Sequence, residues 1–350
     1  MNPLGPVRKV MGALDNWQRR TRSAGVPYAV VKKFGDDNAN LLVVALAWYG
    51  FTAIFPLLLV VVTVLGFIGA QSVGTGIIQT LHQFPVIGSS FNPASSRALH
   101  GSGLGLVIGL IGLLYGAQGV TQTAQQAMAT IWNIPQTKRT GFLARLGRSL
   151  AGLLTIGAAF IINALVTTYA TGGTSSYAIR VPVLAGLVVI NTGLYFASFV
   201  VLTAKAVLAA REVRPRSLLP GAILAAIGFT ALITVGTGLM THQLRHTSAT
   251  YGAFGTVIGI VAFLLLLAKL TLYAAELNPV LARSLYPRAL PLGGEPTAAD
   301  QQVLAALVHA EQRRDDQAIG VGFGDRAAAR AATDASRQQV GTAATDTERH

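Results

Sequence analysis

The chain is organised as long apolar stretches separated by short polar ones. Six stretches hold almost no charge and are long enough to cross about 30 Å of hydrocarbon as helices rising about 1.5 Å per residue. They are Leu41–Ala70, Gly103–Val120, Leu150–Ala170, Val183–Ala204, Leu218–Met240 and Gly252–Asn278. Because a segment in lipid must satisfy its own backbone hydrogen bonds, the pattern predicts an all-α polytopic membrane protein, a six-transmembrane-helix bundle.

Lysine and arginine alternate between the two sides of these spans. The region before the first span carries seven of them and the tail after the last span carries eight. The five connections carry one, four, one, four and one in turn. Since short cytoplasmic connections are enriched in basic residues, the alternation predicts that both termini are cytoplasmic.

The spans divide the chain into four regions. Residues 1–40 precede the membrane, and residues 41–285 form the transmembrane domain. Residues 286–317 are predicted to be a cytoplasmic segment with a short helix, opened by a capping-box pattern that begins at Thr297. Residues 318–350 offer little to bury and are predicted to be largely disordered.

The N-terminal region carries an amphipathic pattern. Apolar side chains recur at helical spacing opposite basic ones, at Val7, Val10, Met11, Leu14 and Trp17. Such a helix suits the inner-leaflet surface, and it equally suits packing on the protein's own cytoplasmic side. The first span that follows would measure about 45 Å, and Pro56 in its middle removes a backbone hydrogen bond, which predicts a helix kink.

Composition narrows the class of partner. The chain is 52% hydrophobic and 12% charged, and a formal net charge of +13 is explained by basic cytoplasmic connections. Basic blocks interleaved with aromatic residues are absent, so no nucleic-acid partner is expected. Anionic membrane lipids at the cytoplasmic face are the expected partners. The absence of cysteine excludes disulfides, thiolate catalysis and cysteine-ligated metal.

Glycines form the most regular feature of the second span. Gly105, Gly109, Gly112 and Gly116 share one helix face, and a weaker set in the last span includes Gly252 and Gly255. Small residues allow two helix backbones to approach closely in lipid. The pattern favours packing within the molecule, with a homo-oligomer seam or a sliding surface as alternatives.

Few residues in the spans could carry chemistry. Lys269 and Glu276 lie seven residues apart on one face of the last span, where charge is a functional candidate by default. The alternative for Lys269 is that its long side chain extends to the membrane–water interface. The alternative for Glu276 is a structural role at the end of the helix. Further polar candidates that would cross-link helices or line a cavity are Asn163, Asn191 and Asn278.

Motifs of catalysis and cofactor binding are missing from the sequence. Walker A, GxSxG and HExxH patterns do not occur, and the spans and external connections together contain one acidic residue, Glu276. No catalytic, cofactor-binding or metal-binding residues are therefore predicted. The protein is not expected to be an enzyme.

Several short stretches together resemble the YihY/BrkB family of bacterial inner-membrane proteins. They are Ala45–Leu57 with Phe34, Asp36 and Asp37 before it, Ile131–Pro135, Leu219–Ala222, Tyr251–Gly255 and Ala274–Asn278. The last stretch departs from the family pattern at Ala274, where glycine is usual. The resemblance is greatest to the YhjD branch, and it implies six helices with both termini inside.

Three functions compete on this reading. The first is transport or flipping of a lipid-like or amphipathic envelope component, or an accessory role in envelope assembly. The second is a non-catalytic membrane scaffold. The third, ribonuclease activity, is disfavoured because phosphodiester hydrolysis commonly uses metal held by acidic ligands, and the cytoplasmic connections between spans contain only Glu212.

Overall fold

The computed structural model describes residues 5–68, 103–135, 177–203, 214–291, 296–314 and 316–323. Over these residues the chain is helical and contains no strand. The helices are α1 (Gly5–Arg20), α2 (Arg22–Asp36), α3 (Ala39–Ile68), α4 (Gly103–Ile131), α5 (Tyr177–Thr203), α6 (Leu219–Ala282) and α7 (Ala298–Ala310). A 3₁₀ turn, Pro215–Leu218, leads into α6.

Within the ranges given above, two helical segments are long and apolar enough to cross a membrane. They are Pro215–Leu232, with a mean hydropathy of 1.3, and Val257–Ala282, with a mean hydropathy of 2.3. Shorter apolar helical segments occupy Ala39–Ile54 and Val188–Val200. The span predicted at Leu150–Ala170 lies outside the described residues, as does the predicted tail beyond residue 323. The count of six spans therefore stays a prediction.

Helix α4 is longer than the sequence pattern predicted. The span was expected to end at Val120, but the helix continues to Ile131. Its last turns are buried rather than solvated, because Ala127, Met128 and Ile131 pack into the core. The polar residues that follow Val120 therefore continue the helix and do not end it.

Helix α6 covers the last two predicted spans and the connection expected between them. All 64 of its residues are helical, including those of the connection expected between Met240 and Gly252. The residues of that connection include neither proline nor glycine, the residues that most often break a helix. Gly252 and Gly255 lie within this helical backbone.

The two ends of α6 nevertheless lie side by side. A straight helix would separate Gly221 from Asn278 by about 86 Å. The backbone N–H of Gly221 instead donates to Oδ1 of Asn278 at 2.7 Å, and an added Cβ at Gly228 would touch the side chain of Leu270. Both pairs are centred at about Ala249, so α6 folds back into an antiparallel pair at the position of the predicted connection.

Glycines allow α4 to approach α3. A Cβ on Gly112 would lie 2.9 Å from Cγ of Pro56, and one on Gly116 would lie 2.8 Å from Cα of Ala53. These distances are shorter than two carbon atoms tolerate, so the contact depends on the missing side chains. Gly105 and Gly109 lie on the same helix, and α3 continues through Pro56 as a helix.

A core of buried side chains lies where α2 meets the ends of α4 and α6. The rings of Phe34 on α2 and Tyr273 on α6 stack with centroids 4.0 Å apart. Trp132, which follows α4, is almost wholly buried beside Phe199 of α5 and Leu272 of α6. This core joins the N-terminal region to the helix pair formed by α6.

Candidate functional site: a buried charge cluster

Lys33 is the centre of a charge cluster sealed inside the core. The lysine lies near the end of α2, and its side chain has no exposure to solvent. Its ammonium nitrogen lies 2.5 Å from Oδ2 of Asp37 and 3.1 Å from Oε2 of Glu276 on α6. The same nitrogen donates to the carbonyl oxygen of Ile131 at 2.7 Å. Three segments distant in sequence therefore meet at one ammonium group.

The end of α4 is shaped to supply that carbonyl. The last carbonyls of a helix have no partner within it, so the oxygen of Ile131 is free to accept from Lys33. Asn133 adopts a left-handed backbone conformation, with φ of 51°, and turns the chain away from the helix axis. Its side-chain amide donates to Oδ1 of Asp37 at 3.4 Å, which adds a second link across the cluster.

Glu276 is the least satisfied member of the cluster. Its side chain is fully buried, and neither carboxylate oxygen accepts an aligned hydrogen bond within the described part of the chain. The contact with Lys33 is thus an ion pair by distance alone. Oδ1 of Asn133 and Nε1 of Trp132 are also buried without a hydrogen-bond partner among those residues.

The electrostatics keep Lys33 charged. Burial by itself lowers the pKa of a lysine because it penalises the cation. The carboxylates of Glu276 and Asp37 act in the opposite direction and prevail, so the pKa of Lys33 is raised above its ordinary value. The ammonium ion is therefore retained at neutral pH, and the cluster sets one cation against two carboxyl groups.

A second charge cluster lies next to the first, around Asp300 of α7. Its Oδ1 accepts from Nε of Arg288 at 2.6 Å and from Nζ of Lys32 at 2.8 Å, and its Oδ2 accepts from the backbone of Ala289. Burial raises the pKa of Asp300, but these hydrogen bonds and charges outweigh burial and hold the pKa well below its usual range. Arg288 also bonds Asp36 at the end of α2.

The N-terminal helix α1 joins this second cluster. Asp15 accepts from the backbone N–H of Leu290 at 3.0 Å and from Nε of Arg19 at 2.7 Å. Burial raises the pKa of Asp15, but the hydrogen bond from Leu290 and the neighbouring Gln18 and Arg19 lower it by more. The pKa of Asp15 therefore lies below the ordinary aspartate value. Helix α1 therefore packs on the protein itself through these bonds, which was one of the two placements predicted for it.

The structure brings together some of the residues singled out in the sequence and separates others. Glu276 is in the charge cluster, whereas Lys269 on the same helix is exposed. Asn278 is buried and binds the backbone of Gly221, and Asn191 is buried in α5. Asn163 lies outside the described residues.

Sequence reasoning missed Lys33, Asp37 and Asn133 as site residues. Lys33 was counted only as one of many basic residues before the first span. One signal was available, because Lys33 and Asp37 are spaced i, i+4 beside an aromatic residue, and such a pair shares a helix face. Nothing local connects that pair with Glu276.

The described residues contain no group of three or more histidine, cysteine or acidic side chains that could hold a metal ion. At the first cluster a metal would also have to lie beside the ammonium group of Lys33, which repels cations. The chemistry available there is the transfer of a proton between two carboxyl groups and an ammonium group.

Comparisons with known proteins cover most of this architecture. A family model described as virulence factor BrkB matches residues 30–296, a range that includes the whole first charge cluster but neither α1 nor α7, which carry Asp15 and Asp300 of the second cluster. An uncharacterized protein of Dickeya dadantii (strain 3937) is 25% identical, over 77% of this chain and 88% of the relative. No solved structure matches the chain.

Proposed function

Because the chain belongs to the BrkB family of membrane proteins, we propose that it is a multi-pass protein of the bacterial inner membrane. Six spans, with both termini in the cytoplasm, follow from the alternation of basic residues along the chain. In this topology both charge clusters lie at the cytoplasmic end of the bundle. The narrower assignment to the YhjD branch remains a prediction.

The surface of α4 supports a lipid environment. Large apolar side chains are exposed along the first half of this helix, at Leu104, Val107, Ile108, Leu110, Ile111, Leu114 and Tyr115. A contiguous apolar surface of this length is costly in water and normal against lipid tails.

The function we propose is transport or flipping of a lipid-like or amphipathic envelope component. The observation that carries it is the fully buried pairing of Lys33 with Glu276. Replacing a buried ion pair with apolar side chains is often neutral or stabilising, so stability alone is a weak reason to keep one. Charges at a membrane-embedded helix typically mark a substrate or ion pathway. A scaffold, the alternative function, would use the pair only to fix how its helices pack.

Basic groups at the same end would draw anionic head groups. Arg19 and Arg20 end α1, and Arg214 and Arg216 are exposed ahead of α6. Each basic residue near an anionic leaflet contributes about 1 kcal/mol of attraction. We propose anionic membrane lipids as partners, and light scattering would measure whether the protein assembles into a homo-oligomer.

The test is movement of a fluorescent phosphatidylglycerol in vesicles that contain the purified protein. Dithionite destroys only the fluorophores in the outer leaflet, so flipping raises the destroyed fraction above the half seen in protein-free vesicles. Vesicles with an unrelated six-span protein are the control. Equal fractions in all three samples would support a scaffold instead.

Reporter fusions test the topology separately. Fusions at Ser90, Thr174 and Thr247 should report an external location, while those at Lys138, Arg214 and Glu295 should report the cytoplasm. A single reversed position would contradict the six-span proposal. We also propose that the protein is not a nuclease, so purified protein should leave RNA intact with and without added Mg²⁺.

A further inference from the structure

The first charge cluster has more negative than positive groups. Lys33 is its cation, and Asp37 and Glu276 are its two carboxyl groups, all with side chains sealed from solvent. If both carboxyl groups were ionised, the buried site would hold one uncompensated negative charge. Such a charge is strongly unfavourable in a low-dielectric interior unless a further cation joins it.

Two described helices that pack on α6 supply no such cation. Helices α3 and α4, which pack against this end of α6, contain no lysine, arginine, histidine or acidic residue. The stretch of α6 that folds back on it, Leu219–Leu232, contains none either. Of the basic residues on α6 or directly after it, Arg283 lies over the ring of Trp132 at 5.5 Å and Lys269 is exposed.

Unused hydrogen-bond acceptors point to the missing cation. Both oxygens of Glu276 lack an aligned donor, and so does Oδ1 of Asn133, whose amide is directed into the cluster by its bond to Asp37. A metal ion would be repelled by the ammonium group of Lys33. A proton would neutralise one carboxylate and at the same time supply one hydrogen-bond donor.

We propose that the Lys33–Asp37–Glu276 cluster is a proton-binding site, in which Glu276 holds the proton while Lys33 and Asp37 remain ionised. Uptake converts the carboxylate of Glu276 and a hydronium ion to a carboxyl group and water, and release reverses the step. Because the site is closed to solvent, exchange requires α2 to move away from α6. The proton-binding site does not rest on the proposed transport. Only the use of the bound proton to drive transport rests on it.

Infrared spectroscopy of the purified protein in detergent tests the site directly. The carbonyl stretch of a neutral carboxyl group is separate from that of a carboxylate. Wild-type protein should retain one neutral-carboxyl band at pH values well above about 4.3, the ordinary pKa of glutamate. Labelling with ¹³C-glutamate should shift this band, and labelling with ¹³C-aspartate should not. These labels need no variant, so they apply even if substitutions impair folding.

The stability of a matched pair of variants gives the second readout. The folded protein would keep a proton that the unfolded chain releases, so the folding equilibrium constant should fall up to tenfold per pH unit from about pH 5 upward until the proton leaves. Glu276→Gln should remove both the band and this pH dependence. Glu311→Gln, at an exposed carboxylate, should retain both.

Three outcomes would overturn the proposal. One is a folded wild-type protein without the band at every pH above the glutamate range. Another is a band that shifts with labelled aspartate or persists in Glu276→Gln. The third is stability that responds to Na⁺ concentration rather than to pH. Each leaves the lipid-flipping measurement unaffected, so failure of the proton site and failure of the transport proposal are distinguishable.

Discussion

Gly221 and Asn278, 57 residues apart, are joined by a hydrogen bond of 2.7 Å from the backbone N–H of Gly221 to Oδ1 of Asn278. The contact locks together the two ends of α6. It also leaves no room for a side chain, because a Cβ on Gly221 would collide with the carbonyl oxygen of Ala274 and with the amide of Asn278. The glycine is needed for space and not for backbone freedom.

We therefore expect Gly221→Ala to destabilise the protein. The added methyl group must push the two ends of α6 apart, and overpacking typically costs about 1–3 kcal/mol. Thermal unfolding in detergent should show a lower midpoint. Gly193→Ala on α5 is the matched control, because nothing lies within 4 Å of the added Cβ. If Gly221→Ala unfolds no earlier than the control, the antiparallel pairing of α6 is wrong.

A second prediction concerns the contact between α3 and α4. Gly116→Ala should lower thermal stability by about 1–3 kcal/mol, because its Cβ would lie 2.8 Å from Ala53. Gly186→Ala, in open space on α5, should be neutral or stabilising by up to about 1 kcal/mol, the helix-propensity difference between the two residues.

The same variant separates packing within the molecule from an oligomer seam. A stable Gly116→Ala protein with reduced mass by light scattering would assign this glycine face to subunit contacts. The structure instead predicts unchanged mass and reduced stability.

Removal of the buried cation should be the most damaging single change in the first charge cluster. Lys33→Met leaves Asp37 and Glu276 together without a counter-charge, and breaking a buried pair typically costs about 3–5 kcal/mol. Lys269→Met, at an exposed lysine of α6, is the control and should be nearly silent. Urea or thermal unfolding in detergent measures both, and equal midpoints would contradict the cluster.

The second charge cluster predicts that the stability of the folded protein decreases at acidic pH. The pKa of Asp300 is held low in the folded protein, so the unfolded chain takes up its proton first as pH falls. Its contribution to stability is complete above about pH 3.9, the ordinary aspartate value, and is lost as pH falls through the lower folded value. Asp300→Asn should therefore destabilise the protein at neutral pH and flatten the acid side of the stability profile.

An exposed aspartate provides the comparison for that experiment. The pKa of Asp316 is also lowered, by its bond with Arg314, but both side chains are largely exposed to water. Solvent screening makes such surface pairs nearly neutral for stability. Asp316→Asn should therefore leave the profile unchanged, and a profile that responds equally to both substitutions would argue against the second cluster as a structural link.

Local sequence patterns were sufficient to predict the all-α fold class and the ends of some helices. Apolar runs predicted both ends of the helix Ala39–Ile68, and the C-terminal end of the helix Tyr177–Thr203, to within a few residues. The capping box also forms, with Thr297 and Asp300 each bonding the other's backbone N–H. Such features depend on neighbours three or four residues away, which a sequence displays directly.

The charge cluster could not be derived in this way. Lys33 and Glu276 meet only because α2, the end of α4 and the folded-back α6 converge, and no periodicity links residues so far apart in the chain. The sequence by itself determined where apolar helices form, since hydrophobicity and backbone hydrogen bonding are local properties. Only the tertiary structure decided which polar groups lose water together, because burial and charge pairing depend on how distant helices pack.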